Sequence, residues 1–296
     1  MSIALLLATG AHSAPAQHLD RASIEDLINQ DRLAEARDRL QALRSEQAPS
    51  ARTLLLEAML LHKEGKYLDS LRQTQAALEA DPRNSDCHKI FGLNLVRLGR
   101  EDLASDYFEA AASLNPQDYM AWYYLGLQQL QAKRPQESLT SLLKVVDLRP
   151  DYVDGYYVLG LAYEQLSGYE KALEAYRRAI AIQERRNSQT DTPHLYMGRL
   201  LIALARYGES IAELEKAVHL KPDGHEAWTE LGRAMIEAGR VEEALAPLQQ
   251  AVQLKSDNGA AHYQLMRAYK QLGREREARQ AMEMFRRLER AKNPRP

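Results

Sequence analysis

Histidine and cysteine are the residues of this chain most able to do chemistry, and their spacing decides what they are for. His88, His194 and His262 stand at least 34 residues apart, so each belongs to a different segment and a shared metal is not expected. Cys87 precedes His88 directly. Adjacent residues of a helix point in different directions, which argues against a nucleophile–base pair. As the single cysteine, Cys87 also leaves no intrachain disulfide and no cysteine zinc site. No Gly-rich phosphate loop, HExxH or GxSxG stretch is present. These residues therefore predict no enzyme, no catalytic group, no cofactor and no metal site.

The 296 residues are 45% hydrophobic and 27% charged, with a formal net charge of −2. That balance fits a folded protein and not a general nucleic-acid binder, which carries a basic excess. The opening MSIALLLATGAHSAPAQ has a short apolar run, Ile3 to Ala8. Ala14-Pro15-Ala16 then offers small residues to a signal peptidase, with Gln17 next. Export to a periplasm is the expectation, without a basic residue ahead of the run. No stretch reaches the roughly 20 apolar residues that span a bilayer.

The elements that carry these residues are set by a period. Pro82, Pro116 and Pro150 recur every 34 residues, as do Gly92, Gly126 and Gly160, and again Gly198 and Gly232. Small residues keep the step at Ser70, Ala104, Ser138 and Ala172 and, after a shift of four, at Ser210, Ala244 and Ala278. Within each unit the apolar residues fall three and four apart, as in Trp122-Leu125-Gly126-Gln129, the mark of one helix face. A second helix follows a short break, as in Tyr169-Ala172-Leu173-Tyr176-Ala179, and proline closes the unit. Glycine or alanine is needed where the two helices touch closely. His88, His194 and His262 fall where Trp122, Tyr156 and Trp228 stand, as flat rings wedged between helices.

The pattern resembles the tetratricopeptide repeat, W-x2-L-G-x2-Y followed by A-x3-F, A and P. Trp122, Leu125, Gly126, Ser138, Leu142, Val145 and Pro150 fill it in one unit; Tyr156, Leu159, Gly160, Tyr163, Ala172, Tyr176 and Ala179 fill it in the next. The resemblance implies an all-α fold, a right-handed superhelical solenoid of stacked antiparallel helix pairs. The expected organisation is a signal peptide at 1–16, a degenerate helical repeat at 17–50, seven tandem units at 51–292 and a tail at 293–296. Four extra residues near 184–190 predict a longer helix or loop and a local change of curvature. Met266 and Phe285 depart from the pattern as expected of a terminal unit.

In this family the groove-facing side chains come from fixed places of each first helix. Applied here, the fifth places are Leu55, Lys89, Tyr123, Tyr157, Leu195, Thr229 and Tyr263, and the ninth are Met59, Leu93, Leu127, Leu161, Arg199, Arg233 and Arg267. Ten of these form the expected partner-binding groove: Lys89, Leu93, Tyr123, Leu127, Tyr157, Leu161, Arg199, Arg233, Tyr263 and Arg267. Its middle is apolar, and an arginine ladder follows. The expected partner is a protein or peptide with acidic and apolar groups, not a nucleic acid. The alternative for the arginines is pairing with a nearby Glu or Asp of the same solenoid, such as Glu226 or Glu230. A chaperone-tail clamp is excluded, because Leu93, Tyr124, Asp154 and Val158 stand where that clamp needs Asn, Lys and Arg. The resemblance implies a scaffold for assembly of an envelope or secretion complex, or else a recruiting subunit of a separately encoded enzyme.

Overall fold

The computed structural model describes residues 16–186 and 190–292. All of the expected signal segment but Ala16, the 293–296 tail and residues 187–189 of the expected insertion lie outside the described residues. Among the described residues every regular element is an α-helix. They fall into two compact units, Met1–Ala132 and Lys133–Pro296.

The first unit holds α1 (Ala16–Asn29), α2 (Leu33–Glu46), α3 (Ala51–Lys63), α4 (Tyr67–Ala80), α5 (Ser85–Arg97), α6 (Glu101–Leu114) and α7 (Tyr119–Gln131). Each helix packs on the next, and α3 also touches α1 and α5, so α1, α3 and α5 form one layer. Ile24, Leu27, Ala36, Leu40 and Leu56 bury one end of the core, and Leu95, Phe108, Ala111 and Leu125 the other. Side-chain caps start the first helices: Ser50 in a capping box with Thr53, Asn84 accepting from Cys87 N–H, and Asp118 from Met120 and Ala121 N–H. Each satisfies amide donors that the helix itself cannot.

The second unit holds α8 (Pro135–Leu148), α9 (Val153–Gln165), α10 (Tyr169–Arg186), α11 (Thr192–Ala203), α12 (Tyr207–Leu220), α13 (His225–Glu237), α14 (Leu245–Leu254), α15 (Gly259–Gln271) and α16 (Glu275–Lys292). Here α13 touches both α11 and α15. α10 runs for 18 residues where α8 and α12 run for 14, so part of the extra length is one more helical turn.

The odd-numbered helices are each followed by a turn with a residue in the left-handed region. At Gly65 and Gly239 this costs little, whereas Asp31, Lys133, Ser167 and Ala205 adopt it with a side chain. The amide after that residue bonds back five positions, as Lys66 N–H does to Leu61 O and Arg206 N–H to Leu201 O, which closes the helix end. The close approach anticipated from the small residues is present: Ser70, Ala104, Ser138, Ala172, Ser210 and Ala244 are all 0% exposed. Ser70 Oγ donates to Ala58 O at 2.6 Å and Ser210 Oγ to Gly198 O at 2.8 Å.

Candidate functional site

The histidines are structural. Trp122 and Trp228 donate their indole N–H to the carbonyls of Pro116 and Pro222, at 3.0 and 2.8 Å. His88 and His262 place Nε2 3.0 Å from the carbonyls of Pro82 and Ser256, the same bond six residues back. A carbonyl only accepts, so Nε2 carries the proton. His194 differs, with Nδ1 2.7 Å from Glu213 Oε2. Cys87 is fully buried. Burial and then the charges of Asp86 and Asp81 push its thiol up to about 12, so it is no nucleophile. Among the described residues no three His, Cys, Asp or Glu side chains are grouped to hold a metal.

In the first unit Lys89, Leu93, Tyr123 and Leu127 are all half-buried. Lys89 is held by Asp86 at 2.9 Å and by Asp118. Burial would lower its basicity, but the bonds and charges of Asp118 and Asp86 outweigh that and hold the ammonium above its ordinary value. A cavity of about 540 Å3 lies beside it, between Ile28, Met59, His62, Leu93 and Tyr124. Tyr124 stacks on Phe108 at 5.3 Å, and Tyr123 meets Tyr124 edge-on at 5.6 Å.

In the second unit Tyr157 and Leu161 are half-buried on α9, and Tyr263 is 41% exposed on α15. Tyr157 packs against Tyr196 at 4.8 Å, and Arg199 lies 5.5 Å from the Tyr196 ring centre. Tyr263 packs against Phe285 at 5.4 Å. The arginine ladder is internally paired. Arg199 stands 3.2 Å and Arg233 3.3 Å from Glu230, and Arg267 stands 2.8 Å from Glu237. Glu230, not Glu226, is the acid that takes Arg199 and Arg233, and Glu237 takes Arg267. The apolar middle of the expected groove is divided, with Tyr123 and Leu127 in the first unit and Tyr157 and Leu161 in the second.

Three fifth-place residues depart from the groove rule. Leu55, Leu195 and Thr229 are buried. Leu55 and Leu195 belong to core clusters. Thr229 donates to His225 O at 2.7 Å and accepts from Asn258 Nδ2 at 2.9 Å.

Sequence reasoning missed two sets of polar residues. The fully buried Asn94 accepts at Oδ1 from His62 Nδ1 at 2.7 Å and donates to Ser70 Oγ at 2.7 Å. The other set is an arginine ahead of a second helix bonded to a glutamate three residues on: Arg32–Glu35, Arg134–Glu137, Arg206–Glu209, Arg240–Glu243 and Arg274–Glu277. Its fixed spacing was visible in the sequence, unlike the His62–Asn94 contact.

Comparison with known proteins decides the family. Tetratricopeptide repeat patterns match residues 91–153, 129–188, 195–261 and 235–291. The chain belongs to the tetratricopeptide repeat family. Proteins of this family serve as protein-interaction scaffolds and bind protein or peptide partners. This tetratricopeptide repeat chain is 23% identical over 60% of its length to anaphase-promoting complex subunit 3 of Schizosaccharomyces pombe, and 24% over 59% to BBSome complex member BBS4 of Bos taurus. It spans 26% and 33% of those two proteins. Among solved structures it resembles the APC/C Cut9–Hcn1 hetero-tetramer, with a TM-score of 0.71 and 16% identity over 86% of this chain and 50% of that one. A tetratricopeptide repeat protein of Parabacteroides merdae gives a TM-score of 0.60 and 15% identity over 85% and 98%. At such identities the likeness speaks for the fold alone.

Proposed function

We propose that the chain is a non-catalytic interaction scaffold whose first helices hold a partner peptide or protein. The observation that carries this reading is the treatment of the fifth and ninth places. Lys89, Leu93, Tyr123, Leu127, Tyr157, Leu161, Arg199, Arg233, Tyr263 and Arg267 all keep some exposure, while residues between the two places such as Leu125, Leu159, Leu231 and Leu265 are buried. Tyrosine and arginine are the residues that contribute most at interfaces. Apolar groups of the partner lie against Tyr123 and Leu127 in the first unit and Tyr157 and Leu161 in the second.

Acidic groups exchange onto the arginines. The side chains of Arg199 and Arg233 are 42% and 40% exposed, so after solvent screening their pairs with Glu230 contribute at most about 1 kcal/mol. A bidentate partner carboxylate, partly desolvated on binding, is stronger than that. Internal pairing therefore orients the guanidinium groups without removing them from use.

The Ile3–Ala8 run and Ala14-Pro15-Ala16 support an exported scaffold, serving assembly of an envelope or secretion complex. Crosslinking in the native cell, followed by purification of the partner, tests the whole reading. Arg233→Glu is expected to weaken that partner's binding roughly tenfold, and unchanged affinity would end the groove proposal. A periplasmic protein beginning at Gln17 is the expected mature form; a cytosolic one beginning at Met1 would remove the export step. Recovery of an enzyme whose activity rises on adding the chain would favour the recruiting role.

A further inference from the structure

In the second unit α9 and α10 wall a groove of about 690 Å3. Its floor is aromatic and aliphatic, from Tyr156, Leu159 and Tyr163 of α9 with Ala175 and Ala181 of α10. Its rim is cationic, from Lys171, Arg177 and Arg178 of α10, all exposed. A single acid, Glu174, lines the same wall. The rim thus carries an excess of positive charge in a chain whose formal net charge is −2.

These cations differ from the arginines of the first helices. Among the described residues, none of the three stands in an ion pair. Apart from Glu174, the carboxylates around them bond elsewhere, although Glu209 also feels the charge of Arg177. Glu209 takes Nε and Nη2 of Arg206 at 2.7 and 2.6 Å, and Glu170 lies 3.6 Å from the same guanidinium. Glu164 accepts from Tyr176, and Glu213 is bonded to His194 and Lys216. Lys171 leans over the Tyr163 ring, 5.7 Å from its centre. Tyr156 occupies the ring position of Trp122 and Trp228, yet among the described residues its hydroxyl bonds to no carbonyl as their indoles do.

We propose that this groove is a second docking surface, formed by α9 and α10, that takes an acidic peptide segment bearing one aromatic or leucine side chain. The apolar side chain lies on Tyr156, Leu159 and Tyr163. Its flanking carboxylates meet Arg177, Arg178 and Lys171, where charge-assisted bonds replace water contacts. Charge complementarity selects the occupant: an apolar floor alone would accept any hydrophobic side chain, whereas three unpaired cations around it reject a basic segment. The surface is separate from the fifth- and ninth-place residues, so it stands whether or not they bind a partner.

Fluorescence anisotropy of a labelled Glu-Glu-Leu-Phe-Glu-Glu peptide against the full chain tests it. Binding is expected to weaken with added salt and to fall roughly tenfold in the Arg177→Glu/Arg178→Glu double variant. Lys171→Glu gives a smaller loss, and Arg233→Glu none. Far-UV circular dichroism checks that the variants keep their helices. Failure of the peptide to bind would overturn the proposal. So would equal affinity in the double variant, equal affinity of the Gln-for-Glu peptide, or preference for an oligothymidine strand. Weakening by Arg233→Glu alone would move the peptide to the first helices, sinking this proposal while sparing that surface.

Discussion

Arg199 of α11 reaches Glu230 of α13, one repeat further on, with Nε 3.2 Å from the carboxylate, and Arg233 shares the same acid at 3.3 Å. One half-buried glutamate thus aligns two guanidinium groups that the sequence places 34 residues apart. Removing it separates orientation from charge. Glu230→Gln is expected to change stability by less than about 1 kcal/mol, read from the urea midpoint, and to raise affinity for an acidic partner a few-fold, read by titration calorimetry. A weakened partner would mean that Glu230 itself makes the contact.

The helix contacts give a sign test. A Cβ on Gly160 would stand 2.4 Å from Tyr176, and a Cβ on Gly208 meets nothing within 4 Å. Gly160→Ala is expected to destabilise by roughly 1–3 kcal/mol despite the better helix propensity of alanine. Gly208→Ala, on the exposed start of α12, is expected to stabilise by some tenths of a kcal/mol. Equal effects in thermal unfolding would contradict the close packing of α9 on α10.

Cys87 is expected to resist iodoacetamide at mildly alkaline pH in the folded protein and to react fully in guanidinium chloride, followed by mass spectrometry. Its burial and raised thiol pKa set both results. Rapid labelling of the native chain would show that α5 opens readily.

The pair of His194 and Glu213 gives a pH dependence. The hydrogen bond from His194 leads the effects that hold the Glu213 carboxyl below its ordinary range, against the opposing cost of burial, with Lys216 adding to it. A depressed carboxylate contributes stability above its unfolded pKa and loses it as pH falls through the folded value. Glu213→Gln is therefore expected to lower the urea midpoint near neutral pH and to converge with the wild type in strong acid. A constant gap across that range would remove the linkage.

The fold class was legible because helix and turn must repeat at one length for hairpins to stack, which fixes proline, glycine and the small residues in phase. His88 and His262 were legible for the same reason, as they make the bond that Trp122 and Trp228 make. Glu184 in place of proline marked extra length without deciding between helix and loop, and α10 takes part of it as helix. What stayed hidden depends on offsets between helices. The choice of Glu230 over Glu226 for Arg199 is set by how α13 lies on α11, and the burial of Leu195 by the same packing. Lys133 and Ala205 hid their turns by adopting left-handed geometry without glycine.

Hydroxyl-radical footprinting of the purified chain, with and without its crosslinked partner, tests the scaffold reading most directly. The prediction is protection of Tyr123, Tyr157 and Tyr263 on the first helices, with Tyr169 unchanged. Protection confined to the second helices, leaving those three tyrosines as reactive as in the free chain, would contradict it.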